Sequence, residues 1–200
     1  MNWLEPPFNM LITGITNCGK SEYVISELLY KQYRNKFDYI IIFCPTYHEN
    51  QTYEKKYIYD DNDIIILIVD DNLDELLILA TETYKNSGQV LFLIDDCANL
   101  YDSKHKSSQL TKLSFSARHM NISVWFITQK YNAVVKDYRD NIRMLIMYYN
   151  KDDESLKDAF LENNIIDKED RNEIIKKLKE NKYSKIVLRL EHPYEIKFIM

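Results

Sequence analysis

Gly14-Ile15-Thr16-Asn17-Cys18-Gly19-Lys20-Ser21 reads G-x-x-x-x-G-K-S, the pattern of a phosphate-binding P-loop, or Walker A motif. The chain contains only three glycines, and two of them fall in this string. Glycine tolerates positive φ and lets backbone approach a ligand closely, so a glycine-poor chain has placed it where phosphate oxygens would meet main chain. The apolar stretch Phe8 to Thr13 before the loop reads as a buried strand. Glu22 to Tyr30 after it has the apolar spacing of a helix. Strand, loop and helix are the order a P-loop requires. In it, residues 14–21 wrap the phosphates with backbone N–H groups, Lys20 reaches the β- and γ-phosphates, and the Ser21 hydroxyl holds Mg²⁺.

Working outward, Phe37 to Pro45 reads as a second buried strand that Pro45 stops, and Thr46 to Tyr57 as a polar loop or hairpin. Ile64 to Val69 is a strand or a short edge element between acidic flanks. Asn72 is suited to cap a helix running to about Asn86, and Gly88 stands between that helix and the next strand. All three glycines are therefore expected to border the nucleotide site. Helices are expected over Ser107 to His119, Ala133 to Asp140, Asp152 to Asn163 and Asp167 to Glu180. Strands are expected at Val90 to Ile94, Ile122 to Gln129 and Arg143 to Tyr149, with a final pair at Lys185 to Leu190 and Glu195 to Ile199. Alternating strands and helices predict an α/β fold, a P-loop NTPase with a three-layer αβα arrangement and a mainly parallel central sheet.

The chemistry continues at Val90 to Ile94, which is followed by Asp95-Asp96, a Walker B pattern with carboxylates at the C-terminal end of a strand. Asp95 is expected at the Mg²⁺ site. Asp96 stands where many ATPases carry a water-polarising glutamate one methylene longer. Gln129 ends the next strand, where a side-chain amide either senses the γ-phosphate and orients water or simply caps the strand. Arg118 is either a finger reaching a neighbouring subunit's γ-phosphate or a solvated cation at a helix C-terminus. Arg139 and Arg143 are weaker candidates for the same role, and His119 reads as structural or solvated. The basic groups Lys104, His105, Lys106 and Lys112, and separately Lys55-Lys56, either face DNA phosphates or form solvated loops. Cys18 is not read as a nucleophile.

Length and composition bound the rest. A chain of 200 residues with 46% apolar content suits one globular α/β domain, and no repeat or linker divides residues 1–200. The net charge of −5 argues against a basic-coated protein and leaves room for local nucleic-acid contacts. Cys18, Cys44 and Cys97 are scattered without metal-ligand spacing, which suggests a reducing intracellular compartment. Apolar runs such as Ile64 to Val69 are too short to span a bilayer, and no signal peptide is expected.

Gly14 to Ser21, Leu93-Ile94-Asp95-Asp96, and Ala117-Arg118-His119-Met120-Asn121-Ile122-Ser123 leading to Ile127-Thr128-Gln129 together resemble the poxvirus-type DNA-packaging ATPases of the FtsK/HerA superfamily. The arginine-histidine segment running into a strand that ends Thr-Gln discriminates most. The resemblance covers most of the chain. It implies an additional strand between the P-loop and Walker B strands, here ending at Gln129. It also implies ATP and Mg²⁺ as cofactors and a homo-oligomeric ring of five or six subunits, with Arg118 acting across the subunit interface. Double-stranded DNA and a viral capsid or portal-like vertex are the implied partners. The implied location is the assembly site in the host cell cytoplasm, or association with the virion. Two departures are expected: little precedes the first strand, and no nuclease domain follows the last. Two other activities fit the motifs. One is a nucleoside or nucleotide kinase, though no arginine-bearing lid motif is evident. The other is a nucleotide-dependent assembly switch, which the shorter Asp96 leaves open.

Overall fold

A computed structural model describes residues 3–33, 35–53, 63–70, 72–97, 108–163 and 166–200. Among these residues eight strands form one sheet: β1 (Asn9–Thr13), β2 (Tyr39–Phe43), β3 (Ile64–Leu67), β4 (Val90–Asp95), β5 (Ile122–Thr128), β6 (Met144–Tyr148), β7 (Lys185–Arg189) and β8 (Glu195–Ile199). Their spatial order is β3-β2-β4-β5-β1-β6-β7-β8. The first six pair in parallel, and β7 and β8 then add antiparallel beside β6. β5 therefore separates the P-loop strand β1 from the Walker B strand β4, as the resemblance implied. Among the described strands β3 lies at one edge of the sheet, consistent with the acidic residues that flank it in sequence.

The strand sequences account for this placement. A parallel sheet covered on both faces needs strands that are apolar at nearly every position, and β1, β4, β5 and β6 are buried throughout. The two-residue period divides them between two cores. Met10, Ile12, Leu91, Leu93, Trp125 and Ile127 face one side, and Leu11, Phe92, Ile94, Val124 and Phe126 the other.

The first side is covered by the helix that follows the P-loop, α1. It opens at Lys20–Glu22 and continues as a π-helix over Tyr23–Gln32. It buries Val24, Ile25, Leu28 and Leu29, each worth about 1.5–3 kcal/mol in apolar transfer. The second side is covered by α2 (Leu73–Tyr84), α3 (Gln109–Ser116), α4 (Lys136–Arg139), α5 (Asp153–Asn163) and α6 (Lys168–Glu180). The expected three layers are present, with the helices of the described residues divided unequally. Among the described residues, no helix is long and apolar enough to cross a membrane.

Two sequence expectations need correction. The helix expected over Ala133 to Asp140 is only α4, because the β-branched Val134 and Val135 stay extended after a separate 3₁₀ turn at Tyr131–Ala133. Gly88 does not border the nucleotide site. It adopts φ 89° at the N-terminal end of β4, where the Asp38 carboxylate accepts a 2.7 Å hydrogen bond from Gln89 N. Six residues of strand, about 20 Å, then separate it from the carboxylates at the far end. Asn72 does cap α2, with its side-chain oxygen accepting from Glu75 N at 3.2 Å.

Candidate functional site

The C-terminal ends of β1, β2, β4, β5 and β6 lie on one edge of the sheet, the edge where parallel α/β sheets bind ligands. The P-loop crosses this edge from β1 to α1. Gly14 passes so close to β6 that a Cβ there would sit 2.5 Å from Tyr148 Cβ. Gly19 takes left-handed φ 86° immediately before the helix, and Asn17 is also left-handed at φ 59°. The Tyr148 hydroxyl donates to the Gly19 carbonyl at 3.3 Å, and Ile15 N donates to Tyr149 O at 3.3 Å. β6 thus braces the loop from behind. Gly14→Ala is expected to destabilise the protein by roughly 1–3 kcal/mol through this overpacking, read as a lower denaturant midpoint at unchanged m-value.

A cavity of about 530 Å³ opens in front of the loop. Thr16, Asn17, Gly19, Lys20 and Ser21 line it from the P-loop, Asp95 and Asp96 from β4, and Gln129 from the end of β5. Gly14, Ile15 and Cys18 shape the loop from behind. Cys18 is buried, and burial raises its thiol pKa, as suits an inert side chain. Lys20 Nζ donates to the Gly14 and Ile15 carbonyls at 2.8 and 2.9 Å, which holds its charge over the loop mouth.

The two Walker B carboxylates occupy different environments. Asp95 is buried, and its Oδ2 accepts from Ser21 Oγ at 2.7 Å and from Tyr53 OH at 2.6 Å. Burial pushes its carboxyl pKa up; the bonds from Tyr53 and Ser21 pull it down. Asp96 is exposed and held at φ 56°, a left-handed backbone that a non-glycine residue adopts at a cost. Its Oδ1 accepts from Gln129 Nε2 at 3.3 Å. The Gln129 carbonyl is in turn held by Asn150 Nδ2 at 2.7 Å. The loop-anchored serine and the buried carboxylate thus meet in one place. A solvent-facing carboxylate and an amide meet beside them.

Ser21 and Asp95 supply the hard oxygen donors that Mg²⁺ prefers. No group of three or more His, Cys, Asp or Glu side chains suited to a metal occurs among the described residues. Mg²⁺ usually takes one or two protein oxygens plus substrate phosphates rather than a full protein cage, so this donor set fits.

Arg118 is not part of this assembly. It sits in a 3₁₀ turn, Ala117–Met120, that enters β5 through the left-handed Asn121. That places it at the opposite edge of the sheet, about 23 Å of strand from Gln129. Its side chain is exposed, has no hydrogen bond or ion pair among the described residues, and lies near Arg143; its backbone carbonyl accepts from Asn121 N at 3.2 Å. His119 is exposed beside it, and Lys112 is exposed on α3. Arg139 pairs with Glu162, and Arg143 with Glu191. Lys55, Lys56, Lys104, His105 and Lys106 lie outside the described residues.

Sequence reasoning missed the segment that walls the cavity on the β2 side. Thr46, Glu49, Asn50, Gln51 and Thr52 line it, and Tyr53 anchors behind them. The signal available was positional: a polar stretch following a buried parallel strand lies at the ligand-binding edge.

Known proteins are similar to this chain at three levels. The family profile described as Poxvirus A32 protein matches residues 1–191. DNA packaging protein OPG160 of Variola virus is 29% identical over 151 residues, which is 70% of this chain and 53% of that protein. The Monkeypox virus protein of the same name is 27% identical over 151 residues, covering 70% of this chain and 47% of its own length. The chain thus spans about half the length of the curated relatives it matches. Among solved structures, the genome packaging NTPase B204 from Sulfolobus turreted icosahedral virus 2, in complex with AMPPCP, aligns with TM-score 0.74 at 15% identity over 98% of this chain and 99% of its own. The cytoplasmic domain of the type VII secretion ATPase EccC from Thermomonospora curvata aligns with TM-score 0.65 at 11% identity, over 95% of this chain and 25% of its own. Both structural likenesses show a shared P-loop ATPase fold.

Proposed function

This chain belongs to the Poxvirus A32 protein family, and on that premise we propose that it is an ATP-hydrolysing motor that drives double-stranded viral DNA into a preformed capsid. The observation that carries the reading is the convergence of Lys20, Ser21, Asp95, Asp96 and Gln129 on one cavity. The relatives named for DNA packaging and the neighbour named as a genome packaging NTPase support the biological role.

The charge inventory of the cavity supports hydrolysis in an assembly rather than in a lone subunit. Among the described residues, Glu22, Glu49, Asp95 and Asp96 line it against one cation, Lys20. Such a lining repels a nucleoside triphosphate unless positive charge arrives from elsewhere. Ser21 and Asp95 would hold Mg²⁺, which would supply part of it. A neighbouring subunit's Arg118 supplies the rest.

The residues then divide the work. The P-loop backbone and Lys20 bind and orient the triphosphate. Asp96 and Gln129 hold the attacking water, with Asp96 accepting its proton as the oxygen adds to the γ-phosphorus and the bond to the β–γ bridging oxygen breaks. ADP and inorganic phosphate leave. The motor works as a ring of five or six copies at the virus assembly site in the host cytoplasm, with DNA and the capsid vertex as partners.

The test is ATPase rate per subunit against protein concentration, with and without duplex DNA. The rate per subunit should rise steeply with concentration and rise again with DNA. A flat, DNA-insensitive rate contradicts the ring motor. Phosphoryl transfer to a nucleoside monophosphate under the same conditions establishes a kinase instead.

A further inference from the structure

The phosphate chemistry above does not account for the bond between Tyr53 and Asp95. Tyr53 is 42 residues from Asp95 in sequence, fully buried at 0% exposure, and 2.6 Å from Asp95 Oδ2. Ser21 Oγ donates to the same oxygen at 2.7 Å. Two donors on one oxygen fix the rotation of the carboxylate and leave Oδ1 as the oxygen that neither holds. A phenylalanine would fill the same space without a buried phenol that must find an acceptor, so the hydroxyl needs a reason.

Tyr53 also belongs to a hydrogen-bonded run of turns. Glu49 N donates to Thr46 O at 3.0 Å, Asn50 N to Tyr47 O at 3.2 Å, and Tyr53 N to Asn50 O at 2.9 Å. Thr52 N donates to Asn50 Oδ1 at 3.1 Å. The Tyr47 and Tyr53 rings lie 6.3 Å apart. Five residues of this run line the cavity, while Tyr53 anchors them from behind.

We propose that Tyr53 is a positioning residue: its hydroxyl sets the Asp95 rotamer that presents Oδ1 for Mg²⁺, and it hangs the 46–53 wall of the cavity on the same carboxylate. The first half rests on the ATPase reading; the second does not. Occupation of the Asp95 site is then felt directly by a wall of the nucleotide cavity, through one hydrogen bond rather than through the sheet.

Tyr53→Phe removes a single oxygen and keeps the ring. Three changes are expected. Amide hydrogen exchange in residues 46–53 should rise at least fivefold with no nucleotide present, because the anchor is lost. The Mg²⁺ concentration that gives half-maximal thermal stabilisation in saturating ATP should rise about tenfold, and ATP binding in EDTA should stay within twofold. Turnover should fall with KM for ATP unchanged. A role in packing alone predicts a lower melting temperature with the Mg²⁺ midpoint and the 46–53 exchange pattern unmoved, and that result overturns the proposal. If Tyr53→Phe does not fold, Asp95→Asn keeps it testable. A neutral amide is a weaker acceptor, so 46–53 must exchange faster in the absence of nucleotide; unchanged exchange overturns the anchor. Faster exchange in a wild-type background that never hydrolyses ATP would keep the anchor and remove the ATPase reading.

Discussion

Lys20→Ala is expected to weaken ATP binding about 10³-fold and to bring hydrolysis to background. Lys20 is the only cation among the described residues that line the cavity, against Glu22, Glu49, Asp95 and Asp96. Its Nζ is held 2.8 and 2.9 Å from the Gly14 and Ile15 carbonyls, so the charge is stationed at the loop mouth before nucleotide arrives. A hydrogen bond to a charged group contributes about 1.5–3 kcal/mol, and in the proposed site this lysine would contact two phosphates, which gives the expected factor. Its loss also leaves four carboxylates facing a polyanion, a repulsion that the P-loop N–H groups offset only in part. The fold should tolerate the change, because no core packing depends on the ammonium. The measurement is titration with a fluorescent ATP analogue, alongside thermal unfolding without ligand. Retained micromolar binding at unchanged stability would remove Lys20 from the phosphate site and, with it, the P-loop reading.

The parts legible in the sequence were those with local signatures. The strand–loop–helix around Gly14 to Ser21, the carboxylates after Val90 to Ile94 and the cap at Asn72 each depend on residues close together in the chain. Their physical causes, a left-handed turn, a buried strand terminus and an orphan N–H, act over one turn of backbone. The position of β5 between β1 and β4 was not visible in spacing and came from resemblance. Gly88 misled because a glycine before a Walker B strand is near the site in sequence yet a full strand length away in space. Tyr53 was hidden for the opposite reason. Its loop reads as undistinguished polar sequence, and the parallel pairing of β2 with β4, together with the turns of 46–53, brings its hydroxyl to Asp95. The two environments of Asp95 and Asp96 were likewise invisible in a pair of identical letters. Burial and the donors from Ser21 and Tyr53 distinguish the first, left-handed backbone and Gln129 the second.

Arg118→Ala should lower turnover about 10³-fold in the assembled protein while nucleotide affinity changes by less than about threefold. The magnitude is that of an arginine that stabilises charge developing on a transferred phosphoryl group. Geometry makes the prediction specific. About 23 Å of β5 separates Arg118 from Gln129, and an extended arginine spans about 7 Å, so Arg118 cannot serve the cavity of its own subunit. An exposed guanidinium with no side-chain partner among the described residues is open to an anion from outside, as the proposed ring requires. Any effect on turnover would therefore cross the interface of the proposed ring, and complementation tests this directly. Lys20→Ala subunits lack a functional cavity but carry Arg118; Arg118→Ala subunits carry the cavity but lack the arginine. Each is expected to be inactive alone, and mixing them should restore measurable ATPase activity, because some interfaces then pair an intact cavity with an intact arginine. An arginine acting only within its own subunit gives no recovery on mixing, and one that merely faces solvent gives an Arg118→Ala protein as active as wild type. Either result would return Arg118 to the surface and leave the excess negative charge of the cavity to be met by Mg²⁺ and some other cation.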